Sequence, residues 1–283
     1  VSYVAIVEDP ACYKFVFDAV INRLMSEFDA SVSRHHIINE NERLSNTTDV
    51  GNSAPHQNGT SEETSFSGPS KWLNILTGVF CELAGYEDKI TAQQLTIYSM
   101  EKSIDLLLRG AKSTFESCRK FSSKCLAWIC VLSKIHGCKG VEDKLLETIR
   151  VNFISEGATD QCVESACHLI AWLVRFGPVD FIQSYVATLL PATMRFQNAS
   201  AAGGKNAEKV ALARNTAKTA ATALIFESSD SIVFKQVWDF LFDGFRHSSY
   251  HNRVAALAFL NNFYESNMHV FSATQNEELI AIV

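Results

Sequence analysis

The feature that most constrains this chain is a rhythm. Apolar residues return every three or four positions, in runs long enough for several helical turns, and single glycines interrupt them. Phe17, Val20, Ile21, Leu24 and Phe28 form one such run, and Trp72, Leu76, Val79, Phe80 and Leu83 another. Further runs are Phe121 to Ile135, Leu145 to Phe153 and Val163 to Val174, separated by Gly137, Gly157 and Gly177. No stretch alternates apolar and polar residues as a half-buried strand would. The 13 glycines and 5 prolines are too few for a many-stranded sandwich or barrel, which needs a turn every 8–12 residues or so. The spacing predicts an all-α fold of about ten helices.

The rhythm is interrupted once at length. Asp9-Pro10 reads as a helix start, and residues 1–36 are expected to hold one N-terminal helix. Residues 37–70 are rich in Asn, Ser, Thr, Glu and Gly, which predicts a disordered polar insertion. Ser70 is then a candidate N-cap, and residues 71–283 form the expected repeat region, with one helix ending at Gly110, another at Pro191, and a small-residue linker around Ala201 to Gly204. Successive helix pairs recur at roughly 40 residues, the period of HEAT and armadillo units. The expected architecture is therefore a HEAT/armadillo-like helical-repeat solenoid, in preference to a closed bundle.

Composition narrows the function classes. With 25 Lys and Arg against 31 Asp and Glu, the net charge of −6 opposes direct nucleic-acid binding. No run reaches the roughly 18 apolar residues of a membrane span, and Val1 to Asp9 lacks the blocks of a signal peptide, so no membrane is expected. Several of the 8 cysteines lie inside apolar helical runs, where a reduced thiol acts as a small hydrophobe. The missing initiator Met and the apolar ending Leu279 to Val283 read as a fragment.

Catalytic and metal motifs are weak. His247 and His251 have the i, i+4 spacing of a zinc pair, but the glutamate of a zinc-protease helix is missing, and capping or surface roles are expected. Cys118, Cys125, Cys130 and Cys138 lack the Cys-x-x-Cys spacing of a zinc knuckle. Gly110-Ala111-Lys112-Ser113 departs from a phosphate loop at its second position. The basic residues Lys102, Arg109, Lys112, Arg119, Lys120 and Lys124 read as a solvated helix face. The expectation is a protein that is not an enzyme and requires no cofactor and no metal.

From Ala158 onward the order of elements is more specific. A Trp-containing helix, Cys167-His168-Leu169-Ile170-Ala171-Trp172-Leu173, precedes a segment ending Leu189-Leu190-Pro191, then a polar linker and a helix ending near Phe226. Val237 to Phe245 leads into Arg246-His247-Ser248-Ser249-Tyr250-His251-Asn252-Arg253, with Leu257, Phe259-Leu260 and Met268 to Phe271 beyond. This stretch resembles the late HEAT repeats of the PA200/Blm10 family of large proteasome activators. The resemblance implies a piece of a solenoid that caps the 20S proteasome core particle, promotes gate opening without ATP or ubiquitin, and serves peptide and acetylated-histone turnover in nucleus and cytoplasm. It further implies an inositol phosphate ligand at basic openings, to which Arg246, His251 and Arg253 would contribute. The same residues also suit a turn clamp between two helices. The family's penultimate tyrosine has no counterpart in Ile282-Val283, so no gate-opening residue carries over, and none for acetyl-lysine does. The alternative function is an importin-like or other HEAT/armadillo adaptor for extended peptides or protein partners. Trp72, Trp128, Trp172 and Trp238 lack the fixed spacing such a ladder would show.

Overall fold

A computed structural model describes residues 9–45, 67–155, 159–176, 183–197 and 207–282. Among these residues the fold is all-α: eleven helices and no strand. The chain divides into two compact units, Val1–Gly85 and Tyr86–Val283.

The first unit pairs α1 (Pro10–Ser45) with α2 (Ser67–Ala84). Asp9 starts α1 as its sequence suggests: its Oδ1 accepts the Ala11 amide at 2.8 Å, which satisfies one of the orphan donors of a first turn. Tyr13, Phe17, Leu24 and Phe28 meet Leu73, Leu76, Phe80 and Leu83 in the core, with Phe17 and Phe80 rings 6.1 Å apart. Both ends of the expected insertion are corrected here. Helix α1 continues through residues 37–45, because no glycine or proline lies between Pro10 and Ser45 to end it, and polarity alone does not stop a helix. Helix α2 begins at Ser67, so Ser70 sits buried within its first turn and is not the cap. Pro69 is tolerated there because first-turn amides have no helical partner. At Gly68 a Cβ would come within 2.6 Å of Glu27 Oε2, so a larger residue there would displace the end of that side chain. The remainder of the insertion, 46–66, lies outside the described residues, as does the 201–204 linker.

The second unit contains α3 (Lys89–Ala111), α4 (Glu116–Ile135), α5 (Lys139–Phe153), α6 (Asp160–Phe176), α7 (Gln183–Gln197), α8 (Ala207–Ala223), α9 (Ile232–Arg246), α10 (Tyr250–Asn267) and α11 (Ala273–Ile282). Two expected ends move. Gly110 is a buried residue inside the last turn of α3, and α7 runs through Pro191 to Gln197. An internal proline removes one amide donor and bends a helix without having to terminate it. The glycine that does end a helix is Gly137. Its φ is +67°, its amide bonds the Lys134 carbonyl at 3.1 Å, and the Cys138 amide bonds the Ser133 carbonyl at 2.8 Å. That pair of bonds is the Schellman closure of α4.

Most packing in this unit is between sequence neighbours and next-but-one neighbours, while α7 also lies on α10 and α3 touches α6. Helix α4 lies on α6, α6 on α8 and α8 on α10, while α5 lies on α7 and α7 on α9. Adjacent helices close the hairpins between these two sets. Buried serines keep the seams close: Ser123 Oγ donates to the Ser165 carbonyl at 3.0 Å, and Ser165 Oγ donates to the Ala111 carbonyl at 2.7 Å. Other tertiary hydrogen bonds join residues 40 to 44 apart, including Thr96 to His136, Lys112 to Asn152 and Phe226 to Asn267. Near its far end, Phe226, Phe234, Phe263 and Phe271 form a cluster of tilted and edge-to-face rings with centroids 5.5 to 6.2 Å apart.

Candidate functional site

The three residues that the sequence nominates fall together on the turn between α9 and α10. Arg246 is the last residue of α9, and Ser249 and Tyr250 open α10. Arg253 reaches back across the turn: its Nη1 donates to the His247 and Ser248 carbonyls, both at 2.9 Å, and its guanidinium lies 5.9 Å from the Tyr250 ring. This is the clamp geometry. Arg246 is exposed and lies 5.6 Å from the Phe242 ring, and exposed His251 stands edge-on to Tyr250. His247 Nδ1 accepts the Ser249 amide at 3.0 Å, so one of the two spaced histidines caps the turn. Tyr250, Val254 and Leu257 are exposed at i, i+4 and i+7 along α10. The turn can present positive charge beside an apolar stripe.

A second polar centre lies between α4 and α6 and was not nominated from sequence. Arg119, counted there among solvated basic residues, is only 4% exposed. Its Nη2 meets Glu164 Oε2 at 2.7 Å, and its Nη1 donates to the Ser113 and Thr114 carbonyls at 2.9 and 2.8 Å. The loop before α4 is thereby tied to the middle of α6. His168, one turn after Glu164, brings Nε2 to 3.7 Å from Glu164 Oε1, beyond hydrogen-bonding reach. Burial raises the Glu164 pKa, but His168 and Arg119 beside it offset this and hold the carboxyl below its usual range. The signal for this centre was the i, i+4 spacing of Glu164 and His168 inside an otherwise apolar run. Nothing in one dimension showed that Arg119 would face them.

The remaining nominated groups have structural surroundings. Cys118, Cys125, Cys130 and Cys138 are buried thiols in no disulfide, and burial pushes Cys130 and Cys138 above the usual thiol range. Lys124 and Arg175 lie over the Trp172 ring at 5.0 and 5.3 Å, and the ring stacks on Phe176 at 5.4 Å. Between α3 and α5 a cavity of about 240 Å³ is lined by Met100, Glu101, Asp105, Lys144 and Leu145. It is smaller than the roughly 300–1,000 Å³ of ordinary small-molecule sites.

No protein-family model, no curated protein and no solved structure matches the chain.

Proposed function

We propose that this chain is part of a non-enzymatic helical-repeat scaffold of the kind found in large proteasome activators. The observation that carries the scaffold is the packing of alternate helices, α4 on α6 on α8 on α10 and α5 on α7 on α9, with tertiary hydrogen bonds recurring at 40 to 44 residues. Stacked helical pairs contact their neighbours in this way and offer a long surface for a large partner. The finer reading rests on the order of elements from Cys167 onward and on the Arg246 to Arg253 turn. It makes the 20S proteasome core the partner, acetylated histones and peptides the substrates delivered, and nucleus and cytoplasm the places of work. Within the scaffold, the exposed Arg246 and His251 are the groups offered to an inositol phosphate, with Arg253 holding the turn.

The test uses the longer protein that the resemblance implies, purified 20S particles and a fluorogenic peptide. Binding with accelerated peptide hydrolysis supports the reading, and absence of binding at micromolar concentration refutes the proteasome assignment. Calorimetric titration with a highly charged inositol phosphate addresses the turn: Arg246→Ala should weaken binding, and an unchanged affinity removes the turn from that role.

A further inference from the structure

Glu164 and His168 stand one turn apart on α6, which packs on α4, and each carries a buried atom without a hydrogen-bond partner, Glu164 Oε1 and His168 Nε2. The two residues are 6% and 7% exposed, so bulk water does not serve those atoms, and unpaired buried polar atoms are rare enough to need a reason. At 3.7 Å they are too far apart for a hydrogen bond. They are close to the spacing of two ligands on one ion, since atoms bound tetrahedrally at about 2.0–2.2 Å lie roughly 3.3–3.6 Å from each other. Glu116, exposed in the first turn of α4, places a carboxylate oxygen within 4.8 Å of both. Binding an ion would draw this exposed carboxylate closer.

We propose that Glu116, Glu164 and His168 bind a divalent transition-metal ion of the zinc class through two carboxylate oxygens and one imidazole nitrogen, with water in the open position. The donor set selects the ion. An imidazole disfavours magnesium and calcium, and no thiolate belongs to the group. Arg119 supports this geometry: it holds Glu164 Oε2 at 2.7 Å and leaves Oε1 for the ion, as outer-shell partners of metal-bound carboxylates do. One guanidinium against two carboxylates leaves one negative charge to meet the dication. The ion would fasten the start of α4 to the middle of α6, and it is independent of which partner the scaffold binds.

The whole chain, stripped with a chelator, is dialysed against Zn²⁺ and against Co²⁺. The expected result is one equivalent of zinc per chain, a zinc-dependent rise in Tm, and a cobalt spectrum free of thiolate charge transfer. Glu116→Gln changes an exposed residue and leaves the buried pair in place, so the variant should fold and bind zinc at least tenfold more weakly. His168→Gln should abolish binding. Less than half an equivalent of zinc, a thiolate band with cobalt, or wild-type affinity in Glu116→Gln overturns the proposal.

Discussion

Replacing Asn267 with alanine should destabilise the second unit by about 2–4 kcal/mol, a figure that follows from the groups it leaves behind. Asn267 ends α10 and is fully buried. Its Oδ1 accepts the Phe226 amide at 2.8 Å, and its Nδ2 donates to the Leu224 carbonyl at 2.6 Å and the Phe263 carbonyl at 2.9 Å. The side chain thus stands in for a backbone partner to the non-helical segment after α8. Truncation orphans the Phe226 amide and the Leu224 carbonyl, each worth about 1–3 kcal/mol when buried and unpaired, whereas the Phe263 carbonyl lies inside α10 and keeps its helical role. Two such groups together make about 2–6 kcal/mol, and relaxation of the segment brings the loss into the lower half of that span. Asn267→Asp is the sharper variant. It keeps the acceptor but turns an oxygen toward two carbonyls, so at pH 7 it should cost at least as much as alanine. Urea unfolding followed by tryptophan fluorescence is the assay, because Trp238 lies 5.3 Å from the Phe271 ring in the same cluster. A loss below about 1 kcal/mol for alanine, or an aspartate variant as stable as the parent, would refute the reasoning.

Two further outcomes rest on single residues. Burial lowers the His136 pKa, and with Thr96 Oγ1 donating to the Ala92 carbonyl at 2.8 Å, the hydroxyl accepts from His136 Nδ1 at 2.8 Å and leaves a buried lone pair on Nε2. The folded state therefore favours the neutral ring more than the unfolded chain does, and the unfolded chain, titrating near its usual value of about 6.5, binds more protons around and below that pH. Stability should fall as pH drops from 7.5 to 5.5, and His136→Gln should remove that part of the slope; urea midpoints with the same pH dependence in both proteins would contradict it. Gly137→Ala meets no atom within 4 Å, so its cost is the positive φ alone, about 1–2 kcal/mol. An alanine variant with an unchanged urea midpoint would show that α4 does not end in the left-handed turn described.

The helical class was legible because the core of each helix repeats at the helical period: Phe17, Leu24 and Phe28, or Leu145, Ile149 and Phe153, are buried as their spacing requires. Ends were less legible. Ser70, Gly110 and Pro191 are residue types that favour boundaries, yet each lies within a helix, since tertiary packing outweighs propensities of about 1 kcal/mol, and proline bends a helix it need not end. The polar centres were least legible. Arg119 reads as one of six basic residues, and only the approach of α6 to α4 turns it inward toward Glu164. Asn267 reads as an ordinary polar residue near a helix end, and its partners lie more than 40 positions away. The α9–α10 turn lies between these cases. Its residues were nominated together and are found together, with Arg253 bonded to the turn carbonyls and Arg246 and His251 facing solvent.

If the second unit is the helical-repeat scaffold proposed above, its stability passes between neighbouring helices. Native-state hydrogen exchange of the Asn267→Ala variant reads this out helix by helix. Faster exchange confined to α7, α8, α9 and α10, with α3 and α4 protected as in the parent, is the result expected of a helical-repeat scaffold. Equal loss of protection in α3 and α4 would mark a single cooperative core and contradict it.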